Sequence, residues 1–439
     1  NAIEVSPHDP ATAYIATTRY KFNDHTPGLY RTKDYGKTWT NISKGIPHGS
    51  FTRVVREDEK VKGLLVAGTE TGIFISWNDG ATWVPFQLNL PITAITDIKL
   101  KHDDMIVGTS GRSFWILDDM ELIRQYKTGS QGTKLYQPAA TILENHGSPL
   151  NGNSPSFKGT NSFVGVNPAN GAVIYYELPK LKKSDVVTLE IKDKSGRVVN
   201  KFTTVKDSTF KKWDGGHSVA PTISKKKGLN RFVWNLRHPT MTGVKGVYIE
   251  AGFSGHKSIP GTYTLTLSHG EVKESTTFDI LSNPKYSTTS EDYHEYDEFM
   301  TSAEEELRHM HKSIKKNKKA MDRMASISKK IDKNEELEAV SESLKSLKMK
   351  MKTWDEEMVQ RMSKAYDDVE NFPNKFTAEW LFMVNQTQSD IPKVNQPSKD
   401  RRAELEEQWS GLMKRYEEIM KTDLPALNKT LWDAGIGAI

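Results

Sequence analysis

The chain has 439 residues, Lys+Arg 61 against Asp+Glu 56 for a formal charge of +5, and Cys 0. That length accommodates roughly two to four domains with cores of their own, and the lack of thiols excludes disulfide scaffolds and thiolate metal sites. The mild basic excess is spread through loops and helices and does not single out nucleic acid, and no apolar run is long enough to span a bilayer.

The N-terminal quarter carries one short pattern twice. Thr32, Asp34, Gly36, Thr38 and Trp39 form the first copy, and Ser76, Asn78, Gly80, Thr82 and Trp83 form the second. The interval between them suits a repeat of four short strands, the blade of a β-propeller. Each residue type serves the turn locally. Asp or Asn accepts backbone hydrogen bonds, Gly takes a left-handed φ, and Trp plugs the space between sheets. A second echo supports the repeat. Residues 64–76 and 105–117 both read as strand, Gly-Thr turn, strand, and a weaker copy spans 13–17 and 28–32. Residues 1–120 therefore hold two complete units and part of a third. Too few to close a ring, they lead us to expect that the chain is the C-terminal part of a longer polypeptide, with the remaining blades elsewhere in the same gene product.

A short helix is expected over 121–126, followed by a Pro-, Gly- and Asn-rich linker or crossing segment up to residue 160. From 161 to 283 the pattern is all-β, six or seven short strands that fit an Ig-like or fibronectin-like sandwich. Hairpins are expected at 186–202 and 260–280, and alternation over 228–236 places Leu229, Phe232 or Val233, and Trp234 against a core. Past Pro284 the period changes. Tyr293, Tyr296, Met300, Ala303, Leu307, Met310, Ile314, Asn317, Met321 and Met324 mark one heptad seam, Leu337 to Met358 a second, and Leu405 to Ile419 a third. These predict an antiparallel helical bundle over 284–439, with Asn334 or Asp332 as an N-cap, Asn317 fixing register, and a short helix at 375–385 placing Phe376, Trp380, Leu381 and Met383 on it.

The turn pattern resembles the Asp box of sialidase-like, xyloglucanase-like and sortilin-like propellers, with Asn78 replacing the acidic residue in the second copy. The order of parts also resembles the C-terminal half of large bacterial exported BNR-repeat, sortilin-like or glycosyl-hydrolase-like propeller proteins. Their closing blade carries a run matched here by residues 108–119, and their helical tail an element matched by Leu424 to Asn428. The resemblance implies an exported protein of the periplasm, cell surface or exterior, and in such families the box is a fold element set apart from the active site.

Chemistry is sparse. There is no phosphate-cradling loop, dinucleotide fingerprint or zinc-protease motif, and His309 and His311 sit on different helix faces; no catalytic residue, metal or cofactor is assigned. Glu70, Arg112, Trp115 and Asp118 remain as ligand-binding candidates on the blade turns, with Arg112 pairing with Asp118 as the plainer alternative. Two readings stay open. One is a non-catalytic binding and assembly protein of the bacterial envelope that meets an envelope protein or a glycan; the other is a glycoside hydrolase whose carboxylates lie in blades upstream of this chain.

Overall fold

The computed structural model describes residues 2–126, 132–151, 165–331, 334–388 and 392–439. Three antiparallel sheets open the chain. β1 (Ala2–Val5), β2 (Ala13–Thr17), β3 (Gly28–Thr32) and β4 (Thr40–Asn41) pair in sequence order, and so do β5 (Thr52–Glu57), β6 (Leu65–Thr69), β7 (Ile73–Ser76) and β8 (Val84–Pro85). β9 (Ile95–Lys101), β10 (Asp104–Thr109) and β11 (Phe114–Leu117) make a three-stranded sheet. This is a propeller-like array. Tyr14, Ala16 and Leu29 of the first sheet pack on Val55, Leu65 and Ala67 of the second, whose other face, with Val54 and Val66, packs on Ile95, Ile98 and Val107 of the third. Covered on both sides, β6 is buried throughout, which is why its sequence is an unbroken apolar run. Gly68 is needed there, because a Cβ would meet the Ile95 and Val54 side chains at 2.6 Å.

α1 (Met120–Gln125) follows, close to the expected helix. Residues expected in a linker then contribute edge strands: β12 (Lys134–Leu135) pairs with β14 (Ala172–Leu178), and β13 (Thr141–Ile142) runs parallel to β19 (Val272–Leu281). The rest of that segment, 127–131 and 152–160, lies outside the described residues, as does the start of the expected sandwich at 161–164. Between those strands come β15 (Val187–Lys192), β16 (Val198–Thr203), β17 (Gly228–Trp234) and β18 (Gly261–His269), so that the orders are β12-β14-β17 and β13-β19-β18-β15-β16. Both sheets feed one core, with Ile174, Tyr176 and Trp234 facing Leu189, Leu265 and Phe278. The two expected hairpins are present. Leu229 is a correction. It is 44% exposed, because the alternation that buries Trp234 and Phe232 turns Asn230 inward instead; the Asn230 amide is satisfied by the carbonyls of Lys226 and Gly228.

The C-terminal region is helical: α2 (Ser290–Ile331), α3 (Glu338–Met358), α4 (Phe376–Thr387), α5 (Gln396–Glu418) and α6 (Leu424–Asp433). Every residue expected on the first seam is buried, as is the second from Val340 to Met358 and the third from Leu405 to Ile419. Leu337 is partly buried against them. Asn334 caps the turn before α3 through its side chain, accepting from the Glu336 amide; Asp332, the alternative cap, lies outside the described residues. α4 stands where the short helix was expected and buries Phe376, Trp380, Leu381 and Met383.

The connection from β17 to β18 is the unexpected part. Its Met241, Val244, Val247, Ile249 and Phe253 belong to the helical core, beside Met300, Leu307 and Met310. A stretch expected within the β region is thus a wedge driven into the helices. No helix among the described residues is long and apolar enough to cross a membrane.

Candidate functional site

The two repeated turns are built alike down to single bonds. In the first, the Thr32 hydroxyl donates to Asp34 (2.8 Å) and accepts from the Gly36 amide (2.9 Å), and Asp34 accepts from the amide and hydroxyl of Thr38 (2.9 and 2.6 Å). Those bonds hold the Asp34 carboxyl below the usual carboxylate range. In the second, Ser76 and the Gly80 amide repeat the pattern, and Asn78 accepts from the Thr82 amide (2.9 Å). One bond runs in reverse: the Asn78 amide donates to the Thr82 hydroxyl at 2.9 Å, where Thr38 donates to Asp34. A hydroxyl rotates to suit either partner, so the exchange of Asp for Asn preserves the turn. In each copy the residue before the glycine, Tyr35 or Asp79, also takes a left-handed φ of 58°.

The tryptophans differ. Trp83 is 3% exposed and donates to the Ile42 carbonyl of the first sheet at 2.6 Å, plugging the gap between sheets. Trp39, in the matching position, is 39% exposed, and its indole donates to the Gly36 carbonyl of its own turn. Asp79 adds to the first joint, accepting from Tyr14 (2.7 Å) and Arg31 (2.7 Å) across the sheets. Burial pushes its pKa up, but bonds from Lys33 and Tyr14 and the Arg31 charge hold it below the usual range.

The ligand-binding candidates do not converge as a group. Glu70 and Arg112 lie on corresponding turns but at different positions: the Glu70 amide donates to the Phe51 carbonyl as the Ser110 amide donates to that of Ala94, so Ser110 is the counterpart of Glu70. Glu70 is held by Arg53 at 2.5 Å. The Trp115 indole is used by its own turn, donating to the Arg112 carbonyl. Arg112 is exposed and forms no ion pair with Asp118 among the described residues, correcting the alternative of a tie between them. The reason is geometric: β11 is extended and lies between them, setting them about 15–20 Å apart at about 3.3 Å per residue.

Asp118 instead joins a carboxylate cluster at the far end of β11. Burial pushes Asp104 up to about 6, reinforced by the charges of Asp118 and Asp103. Burial likewise raises Asp119 to about 6 against a hydrogen bond from Tyr175 (3.1 Å) and the Arg231 charge, and raises Asp118 against Arg231. Beside it Arg124 of α1, 4% exposed, binds Asp58 through two nitrogens and also Asp103 and Glu121, clamping the helix to the second and third sheets.

A second polar cluster lies where the wedge meets α2, and sequence reasoning missed it. Arg237 and Lys257 form an isolated antiparallel bridge, and the His238 amide donates to the His256 carbonyl. This stacks the two imidazoles, centroids 3.9 Å apart and planes at 21°. From α2, Glu304 accepts from the His256 amide (2.7 Å) and lies 3.0 Å from its Nδ1, while Asp297 Oδ1 is 3.2 Å from His256 Nε2 and 3.7 Å from His238 Nε2. Arg197 donates to the other Asp297 oxygen at 2.6 Å. Burial opposes charge on His256, but its bonds to Asp297 and Glu304 outweigh it and hold its pKa above the ordinary value. Burial and the charge of His256 push His238 down to about 3. Asp297 is held at about 2, because His256 and Arg197 outweigh its burial. No period links these residues; the one sequence signal is a pair of histidines bracketing a long irregular connection.

No family model matches the chain, and no curated protein does. Among solved structures, it is similar to a GH74 enzyme from Niastella koreensis (14% identity, 40% of this chain and 28% of that one, TM-score 0.23). It is also similar to YCF48 from Cyanidioschyzon merolae (15%, 41% and 54%, TM-score 0.19) and to the GH74 xyloglucanase from Xanthomonas campestris (13%, 63% and 36%, TM-score 0.22). The chain spans about a quarter to about a half of the length of these structures. At such values the likeness carries no inference about ligand or reaction; the propeller-like character rests on the three sheets themselves.

Proposed function

We propose that the chain is a non-catalytic binding and assembly protein, exported to the bacterial envelope or exterior, whose Asp-box blades serve as a partner platform. In this reading residues 1–120 are the C-terminal blades of a propeller, 121–160 a crossing segment, 161–283 an Ig-like spacer and 284–439 a helical bundle. The observation that carries it is the inequality of the two tryptophans: the plug that seals the second sheet to the first is half-exposed on the first sheet itself. Exposed apolar residues on both outer faces agree, with Ile3 (68%) and Val5 on one and Phe114 (80%) and Ile116 on the other. Unpartnered faces of this kind mark interaction surfaces, and further four-stranded blades of the same gene product fit them. Glu70, Arg112, Trp115 and Asp118 are then candidates for contact with an envelope protein or a glycan, and no nucleic acid or cofactor enters.

Hydroxyl-radical footprinting of material isolated from its natural source tests this. Trp39, Ile3 and Phe114 are expected to be protected there and labelled in the isolated 439-residue chain, with an intact mass above that of 439 residues. Equal labelling in both samples, with a mass of 439 residues alone, defeats the reading. Hydrolysis of a β-glucan by the natural-source material and not by the isolated 439-residue chain selects the alternative, a glycoside hydrolase whose carboxylates lie in blades upstream of this chain.

A further inference from the structure

We propose that His238, His256 and Asp297 form a binding site for a divalent transition metal of the zinc class, independent of the propeller platform. The three ligand atoms, His238 Nε2, His256 Nε2 and Asp297 Oδ1, lie within 4.8 Å of one another. The two measured edges, 3.2 and 3.7 Å, bracket the about 3.3 Å separation that tetrahedral bonds of about 2.0–2.1 Å impose on neighbouring ligands. Because an ion lies near the plane of each imidazole that binds it, binding requires the His238 ring to turn out of its stack on His256.

Three features go beyond proximity. His238 Nε2 is buried and has no hydrogen-bond partner, an arrangement that costs free energy unless something is bound there. Glu304 takes the Nδ1 side of His256 and also its backbone amide, which directs Nε2 at Asp297; a carboxylate behind a ligating imidazole is the usual outer support of a zinc ligand. Arg197 occupies Asp297 Oδ2 and leaves Oδ1 facing the two histidines. The ion replaces the proton between His256 Nε2 and Asp297, which is released on binding. Two imidazoles and one carboxylate suit zinc or cobalt over calcium or magnesium. Three protein ligands leave one position of a four-coordinate ion for water.

The site joins two elements: the wedge supplies both histidines, and α2 supplies Asp297 and Glu304. A bound ion therefore pins the wedge to the helix.

The test uses the full chain stripped of metal with a chelator. Zn²⁺ titrated in competition with a chromophoric chelator is expected to bind at one equivalent, and Co²⁺ to give the intense visible bands of a four-coordinate ion. His238→Ala, which removes no hydrogen bond of its Nε2 but does remove its stacking on His256, is expected to lower the metal-free melting midpoint and to weaken Zn²⁺ binding to the folded variant by more than about 100-fold, and Glu304→Gln to weaken it by about 10–100-fold. The proposal falls if no saturable one-equivalent binding is seen, or if His238→Ala binds Zn²⁺ as the unaltered chain does. Should that variant not fold, X-ray absorption of the Co²⁺-loaded unaltered chain decides: imidazole scattering from two histidines supports the site, and an all-water shell overturns it.

Discussion

Single side chains hold the array together by charge as much as by apolar contact. Arg124 is the clearest case, since Asp58 is fully buried and its carboxylate has that guanidinium as its counter-charge. Arg124→Met strands the carboxylate, and a loss of about 3–5 kcal/mol in urea unfolding is expected; adding Asp58→Asn recovers part of it. Asp104 works in the opposite direction. Its carboxyl is raised to about 6, so the folded chain keeps a proton that the unfolded chain sheds near the ordinary value of about 4. The stability linked to that proton is complete below about pH 4 and lost as pH rises through about 6. Asp104→Asn is therefore expected to raise the melting midpoint by roughly 2–4 °C at pH 7.5 and to leave it unchanged near pH 4, as differential scanning calorimetry would show.

At the level of elements, regular patterns were legible and irregular ones were not. The seams of α2, α3 and α5 can be read because a helix repeats its buried face every three or four residues. The turns at Asp34 and Asn78 can be read because each position admits few residue types. Residues 241–253 show neither period, and nothing local says that Met241 and Phe253 leave the sheets for the helices. The stacked histidines depend on that placement, so they too were hidden. Asn317 behaves as its seam position suggests: fully buried, it donates to the Met351 carbonyl of α3 at 3.0 Å, while its own oxygen has no partner. Half-satisfied burial is costly, so Asn317→Leu is expected to raise thermal stability by about 1 kcal/mol and to weaken the register between α2 and α3, read as broader methionine methyl resonances. The π-turn at Ile419–Asp423 has a local cause. Pro425 has no amide to give the Lys421 carbonyl and its ring crowds it, and a widened turn accommodates that.

On the scale of the whole chain, three sheets, a two-sheet core and a set of helices follow one another along the sequence, but the cores are not separable in the same order. The first array ends in outward apolar faces, whereas the later parts are tied through Arg197 to Asp297 and the Gly252 amide to Asn385. Tyr175 bonding Asp119 links the array to the sheets behind it. The wedge between β17 and β18 has a consequence for ancestry. A genetic crossover at the sheet-to-helix border would part a plug from its socket, so those two regions should be exchanged between lineages only as a single block, while the leading blades remain free to be shuffled.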